Sequence, residues 1–340
     1  MGRVTQHIAP HYVVTHYILN LAAGLLALCS AHWAAAQAFP TKPIRVIVPF
    51  AAGGLVDTVA RTIGAAVTES VGQPVVVETR PGGSSIIGIL ACAKAPADGY
   101  TLCFTVADSL SYNPHVFSDL PYNAETDFAP VINLGWSNNL LVANANAPFN
   151  SYREMIAYAK AKPGALNWAT WGPGSLPDMY LQWIKRQAGV DIAGIPYKGA
   201  AGGNPAVLSG EAHITYMGFG VATPHIKAGK IKPIVTIGDR RSSYMPSLPT
   251  LAEEGGDPGL RGYFGAFATG QTPRAIVERL NAELTKAIRT PKVQQLYSRA
   301  TLDFNENTPA EFAGFLKKDR ENAGKVFRGM GIKPSTAPSS

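Results

Sequence analysis

Two rhythms alternate along most of this chain. Short runs rich in β-branched and other apolar residues read as strands: Ile44–Val48, Val75–Glu78, Thr101–Thr105, Leu140–Ala143, Leu166–Thr170, Ile192–Pro196, Ile214–Met217, Pro233–Ile237 and Phe264–Ala268. Between them apolar residues recur at helical spacing, which predicts helices over 55–69, 85–95, 152–162, 176–188, 203–209, 221–228, 274–289 and 308–326. Strand and helix in turn imply βαβ units, an α/β fold and mainly parallel sheets. The punctuation agrees. Asn150 or Ser151 is placed to cap the helix that Pro163-Gly164 stops, and Thr308-Pro309-Ala310-Glu311 reads as a capping box.

One junction stands out, VIVPFAAGGLVDTVAR from Val46 to Arg61. An apolar run ends at Pro49-Phe50, two glycines follow, and Val56, Val59, Ala60, Ile63 and Val67 then mark an amphipathic helix. The first helical turn offers unpaired N–H groups beside Gly53 and Gly54, a ready anion site. Alternatively, the two glycines only make a tight βα connection. Asp57, in the first turn, either complements the helix dipole or approaches a ligand.

A second glycine loop, WATWGPGSLPD, runs from Trp168 to Asp178. The Ser175 hydroxyl and the N–H groups around Gly174 suit a carboxylate, and a plain Ser N-cap is the competing reading. Ile195–Gly199 follows a strand in the same way. There Tyr197 and Lys198 either line a pocket or are a half-buried Tyr and a solvated Lys. Arg80-Pro81-Gly82-Gly83-Ser84-Ser85 opens another helix, with glycines for a turn or for ligand approach. All four follow strands, and in α/β folds ligands sit beyond the carboxyl ends of parallel strands.

The first 38 residues carry Arg3 as their only formal charge, then an apolar segment from about Tyr17 to Leu28, then Ala36-Gln37-Ala38. This pattern is a cleavable export signal, and its apolar run is short of the roughly 20 residues a spanning helix needs. Large Leu28 before Cys29 argues against lipidation. Removal leaves 302 of the 340 residues, enough for two domains, with 29 basic against 23 acidic side chains. The basic residues are scattered, so nucleic-acid binding is not indicated. Cys92 and Cys103 are the cysteines that remain, either bridged in an oxidising compartment or packed as thiols. With His115, His213 and His225 the remaining histidines, a zinc cluster has no material.

Catalytic signatures are missing: no GxSxG elbow, no HExxH helix, no phosphate loop ending in Gly-Lys-Ser/Thr. Gly218-Phe219-Gly220 lacks the third glycine of a dinucleotide fingerprint. Asp57, Asp98, Asp108 and Asp178 have no His or Cys at a spacing that suggests a nucleophile–base pair.

FPTKPIRVIVPFAAGGLVDTVAR, RPGGSS, ADGYTL, PYNAETDFAPV, AKAKPGALNWATWGPGS, GIPYKG, HIKAGKIKP and PSLPTLAEEGG occur in that order. In this the chain resembles the periplasmic solute receptors of tripartite tricarboxylate transporters, the Bug or TctC family, over Phe39 to about Gly331. The resemblance implies a two-lobed α/β periplasmic-binding-protein fold, a type II Venus flytrap with an interlobe ligand cleft. Residues 1–38 would be the signal, 39–142 plus 262–335 lobe 1, and 143–261 lobe 2, hinged near Ala143 and Gly262. It also implies that two facing loops hold a ligand carboxylate through amides and hydroxyls. These are Phe50, Ala51, Ala52, Gly53 and Gly54 with Asp57, opposite Thr170, Trp171, Gly172, Gly174 and Ser175. Tyr197, Lys198 and Gly199 line the pocket, commonly through water. Ser84 and the strand-end residues Val106, Ala107 and Asp108 complete the candidates.

Four positions depart from the family pattern. Asp178 stands where a His is usual, Trp171 where smaller residues are common, Ala52 where Pro is frequent, and Thr79 where Asn precedes Arg80-Pro81. Trp171 either offers a stacking face to an aromatic acid or packs against the hinge or a neighbouring loop. The reading is an exported, monomeric receptor without catalytic residues, metal or cofactor. It captures a small organic carboxylate, a di- or tricarboxylate or an aromatic acid, and delivers it to membrane permease subunits. A sensor that presents the ligand to a kinase is the alternative, and a periplasmic hydrolase of a carboxylated substrate the more distant one.

Overall fold

The computed structural model describes residues 39–338 other than 239, 240 and 243, so the export-signal expectation for residues 1–38 lies outside the described residues. Two sheets organise the chain. The first contains β1 (Ile44–Val48), β2 (Val75–Thr79), β3 (Thr101–Val106), β4 (Phe128–Ser137), β10 (Tyr263–Thr269) and β11 (Leu302–Asp303), in the order β11-β4-β10-β3-β1-β2. The second contains β5 (Asn139–Asn144), β6 (Asn167–Thr170), β7 (Ala193–Pro196), β8 (Ile214–Gly218) and β9 (Ile231–Thr236), in the order β7-β6-β8-β5-β9.

Both sheets are mixed, which corrects the expectation of mainly parallel pairing. Strands β2-β1-β3 and β7-β6-β8 are parallel, whereas β10 and β4 in one sheet and β5 and β9 in the other run antiparallel to their neighbours. The reason lies in the crossings. Strand β4 passes into β5 with only Asn138 between them, and β10 brings the chain back. A strand that enters from the other sheet needs no helical crossover, so nothing imposes the parallel sense. Asn139–Val142, which the sequence reading assigns to lobe 1, pair with β8 and β9 in the second sheet.

The helices that frame the strand ends form where the periodicity predicts. Helix α1 (Leu55–Val71) buries Val59, Ala60, Ile63 and Val67. Helix α2 (Ile86–Ala93) is joined to β3 by a Cys92–Cys103 disulfide across a Cα–Cα distance of 5.8 Å, which settles the bridged alternative. A π-type turn (Asp108–Tyr112) leads into the single turn of α3 (Asn113–Val116). Helix α4 (Tyr152–Ala161) is capped by Ser151, whose hydroxyl accepts the Glu154 N–H. Then follow α5 (Leu176–Ala188), α6 (Ala200–Ser209), α7 (Phe219–Lys227), α8 (Arg274–Ile288), α9 (Pro291–Ala300) and α10 (Pro309–Gly329), the last with the expected Thr308–Glu311 capping box. Helices α3 and α9 and strands β4 and β11 have no counterpart in the periodicity reading.

Candidate functional site

The carboxyl ends of the parallel strands gather the loops that the sequence singles out. Strands β1, β2 and β3 lead into Pro49–Gly54, Arg80–Ser85 and Ala107–Asp108; β6 and β7 lead into Trp171–Ser175 and Tyr197–Gly199. Helix α2 comes so near the first two that a Cβ at Gly88 would lie 2.6 Å from Pro49 Cβ and 2.7 Å from the Arg80 carbonyl. Only glycine allows that approach.

The two main loops are built by one device. Gly53 has φ +80° and donates its N–H to Asp57 Oδ2 at 2.9 Å; Gly174 has φ +79° and donates its N–H to Asp178 Oδ2 at 3.1 Å. Gly53-Gly54-Leu55-Val56-Asp57 thus repeats as Gly174-Ser175-Leu176-Pro177-Asp178. Read as sequence, this five-residue echo is too short to announce a repeat. The counter-charges differ. Burial pushes the Asp57 carboxyl up, but Arg61, 2.9 Å from Oδ1, and the Gly53 N–H outweigh it and hold the group below its ordinary range. Asp178 has, besides the Gly174 N–H, the neutral Gln182 amide at 3.2 Å, and burial outweighs both and leaves its carboxyl raised. Both aspartates brace their loops, and in each loop one glycine N–H is already occupied by the protein itself.

In the first loop Ala51, Ala52 and Gly53 are exposed, and Phe50 and Gly54 are partly so. In the second loop Ser175 is buried. It is no ordinary N-cap, because its hydroxyl donates to the Gly172 carbonyl at 2.7 Å and accepts the Trp171 N–H at 3.3 Å. Thr170 is buried, and its carbonyl accepts the Tyr197 N–H. The Trp171 ring meets Tyr216 edge-on at 5.9 Å and packs beside Gly203. Tyr197 turns its hydroxyl to Glu211 at 2.7 Å, Lys198 is exposed, and Gly199, at φ +79°, starts α6.

Two features escape sequence reasoning. Gly82, Gly83, Ser84 and Ser85 all have positive φ (121°, 54°, 53° and 72°), a costly run for two serines. A buried network holds it. Asn113 Nδ2 donates to the Ser84 carbonyl at 3.0 Å, Ser85 Oγ meets Ser109 Oγ at 2.8 Å, and Thr105 donates to Ser109 Oγ at 2.7 Å. A Gly-Gly-Ser-Ser run is the only sequence signal of this turn. The second feature is the contact that Asp108, itself a candidate in the sequence, makes with the second loop across the two sheets. The Leu176 N–H, at the start of α5, faces its carboxyl, and burial pushes that group up to about 7 despite the Leu176 and Asp108 N–H groups. Val116 of α3 also packs on the second loop, since a Cβ at Gly174 would lie 3.0 Å from it. The bridging contacts therefore run through Val116 and Asp108, next to buried Ala107 and partly buried Val106, while the first loop stays open.

The chain is similar over most of its length to proteins of one kind. A UPF0065 protein of Bordetella pertussis is 30% identical over 312 residues, covering 91% of this chain and 95% of that protein. A Rhodopseudomonas palustris protein solved with adipate superposes at TM-score 0.80 and 30% identity, covering 87% of this chain and all of that one. MatC from Rhodopseudomonas palustris, solved with bound malate, does so at 0.78 and 29%, covering 85% and 99%. The profile described as "Tripartite tricarboxylate transporter family receptor" matches residues 59–332. With a periplasmic-binding-protein fold and a match across most of its length, the chain belongs to the receptor family of the tripartite tricarboxylate transporters.

Proposed function

We propose that this chain is an exported receptor that captures a small organic carboxylate between its two sheets and delivers it to the permease of a tripartite tricarboxylate transporter. The observation that carries the reading is the convergence of glycine loops at the carboxyl ends of the parallel strands in both sheets. The relatives solved with adipate and malate support a carboxylate as the ligand class. The open first loop, Phe50–Gly54, takes the ligand carboxylate on its free N–H groups at the start of α1, with Ser84 beside it. Trp171–Ser175 and Tyr197–Gly199 form the opposite wall.

The lobes meet at Asn138 and between β9 and β10, so lobe 1 extends to Ser137 and resumes at Tyr263, with lobe 2 between. Closure brings Asp108 and Val116 onto the second loop, and a bound ligand stabilises the closed population. The signal-like first 38 residues and the Cys92–Cys103 bridge support a periplasmic location.

Thermal unfolding of the 39–340 protein against citrate, C4 dicarboxylates, acidic amino acids, nicotinate, benzoate, phthalates and terephthalate tests the reading. A ligand at 100 times its Kd adds roughly 2.7 kcal/mol and raises Tm by several degrees. No shift with any carboxylate, on protein stripped of co-purified ligand, refutes it.

A further inference from the structure

A second set of contacts between the two sheets lies where the chain first crosses from one to the other. Helix α7 follows β8, and β8 is parallel to β6, so α7 starts at the same end of its sheet as the second loop. Thr301 stands just before β11, whose Leu302 and Asp303 pair with Ser137 and Trp136 at the end of β4, next to the crossing residue Asn138. There the Gly220 N–H, in the first turn of α7, donates to Thr301 Oγ1 at 3.0 Å. Asn138 ties both sides. Its carbonyl accepts the Phe219 N–H at 3.0 Å, and its Nδ2 donates to the Thr301 carbonyl at 3.0 Å and to Asp303 Oδ2 at 2.8 Å.

Neither Gly220 nor Thr301 suits its place by local preference. Gly220 lies within a helix, where alanine is the better residue, and its φ is not left-handed. What calls for glycine is proximity. A Cβ there would lie 2.7 Å from both the carbonyl carbon and the Cα of Ala300, and closer still to the Arg299 carbonyl oxygen. These are backbone atoms, which cannot turn aside as the end of a side chain can. Thr301 is the reverse case. It is buried and takes φ +53° at the end of α9, a position that glycine fills freely and a β-branched residue fills under strain. What threonine keeps there and glycine would lack is the hydroxyl, which donates to the Ala300 carbonyl at 2.7 Å and accepts the Gly220 N–H.

We propose that Gly220 and Thr301 form a clasp that sets the closed angle of the receptor: the bare glycine lets α7 reach α9, and the threonine hydroxyl holds it there. This rests on the receptor reading and adds to it the residues that fix how far the lobes come together. Both are positioning residues, acting on the ligand through the angle at Asn138 rather than by contact. A methyl group at position 220 holds α7 off α9 and favours the separated form, in which nothing stands against it. Binding then weakens because less of the chain reaches the closed form.

Calorimetry and small-angle X-ray scattering test it on the wild type, Gly220→Ala, Thr301→Gly and Thr301→Ser, with adipate, malate and the acids named above as probes. With an acid that the wild type binds, Gly220→Ala should bind about tenfold or more weakly and keep a larger radius of gyration at saturation. Its unliganded Tm should not fall, because alanine favours the helix. Thr301→Gly, relieved of strain, should keep or raise the unliganded Tm yet bind about fivefold more weakly, and Thr301→Ser, which restores the hydroxyl, should bind within about twofold of the wild type. Gly220→Ala protein that contracts and binds like the wild type overturns the clasp and leaves the receptor reading standing. So does a fall in its unliganded Tm, which marks a contact needed for folding, or a loss in Thr301→Gly that Thr301→Ser does not repair. Where no acid binds the wild type, the receptor reading falls and unliganded scattering decides the clasp: Gly220→Ala must be the more expanded protein, and identical profiles overturn it.

Discussion

Asp108→Asn should flatten the fall of stability with rising pH. The Asp108 carboxyl is raised from an ordinary 3.8 to about 7 by burial, so between those values the folded chain holds a proton that the unfolded chain has released. Stability therefore falls as pH rises through this window and levels off above about 7. At 1.36 kcal/mol per pH unit, the loss from about pH 5 to about pH 8 is about 3 kcal/mol. At roughly 2–4 °C per kcal/mol, the wild-type Tm drops by about 5–10 °C more than that of the variant over that interval. Asp319, raised by burial to about 6, Asp178, raised by burial, and His115, lowered by burial, titrate in both proteins and cancel in the comparison. Differential scanning calorimetry of the two proteins, unliganded, in matched buffers makes the measurement. Parallel Tm–pH curves would refute the assignment of a raised, covered carboxyl at Asp108.

The disulfide closes a segment with a sequence separation of 11, so replacing Cys92 and Cys103 together by Ala should cost about 3 kcal/mol in a urea titration; an unchanged midpoint contradicts this. Gly174→Ala and Gly53→Ala carry the same left-handed strain of about 1–2 kcal/mol, at φ +79° and +80°. The first also drives a Cβ to 3.0 Å from Val116, while the second meets nothing within 4 Å. Gly174→Ala should therefore lower Tm further, by the equivalent of about 1 kcal/mol or more, and equal losses would exclude the Val116 contact as the cause.

What was legible in the sequence follows from what each element needs. Strand β1 and helix α5 appear at the bounds the pattern predicts, because each carries one uninterrupted rhythm. Strand β4 was hidden by Pro130, which interrupts any regular alternation; it is tolerated because the pairing with β10 shifts register beside it. Helix α9 buries only Val293 and Tyr297 and follows α8 after two residues, so it does not stand apart as a periodic run. At the site the glycine loops were visible because positive φ selects glycine. The Ser84-Ser85 turn and the role of Asp108 were not, because both depend on partners distant in sequence: Ser109 and Asn113 for the turn, Leu176 for the acid. Asp178 reads as an anomaly against its family and becomes intelligible only beside Asp57.

The strand order has a consequence for how the molecule is made. The second sheet is written in one continuous stretch, from Asn139 to Thr236. The first is not, because its interior strand β10 lies between β3 and β4 and is encoded at Tyr263–Thr269. Until those residues are available, β3 and β4 have no route to each other, and the backbone N–H and C=O groups along their facing edges stay unpaired. Local pairing closes early and distant pairing late, so the C-terminal quarter of the chain, rather than its beginning, is what turns the first sheet into a folded body.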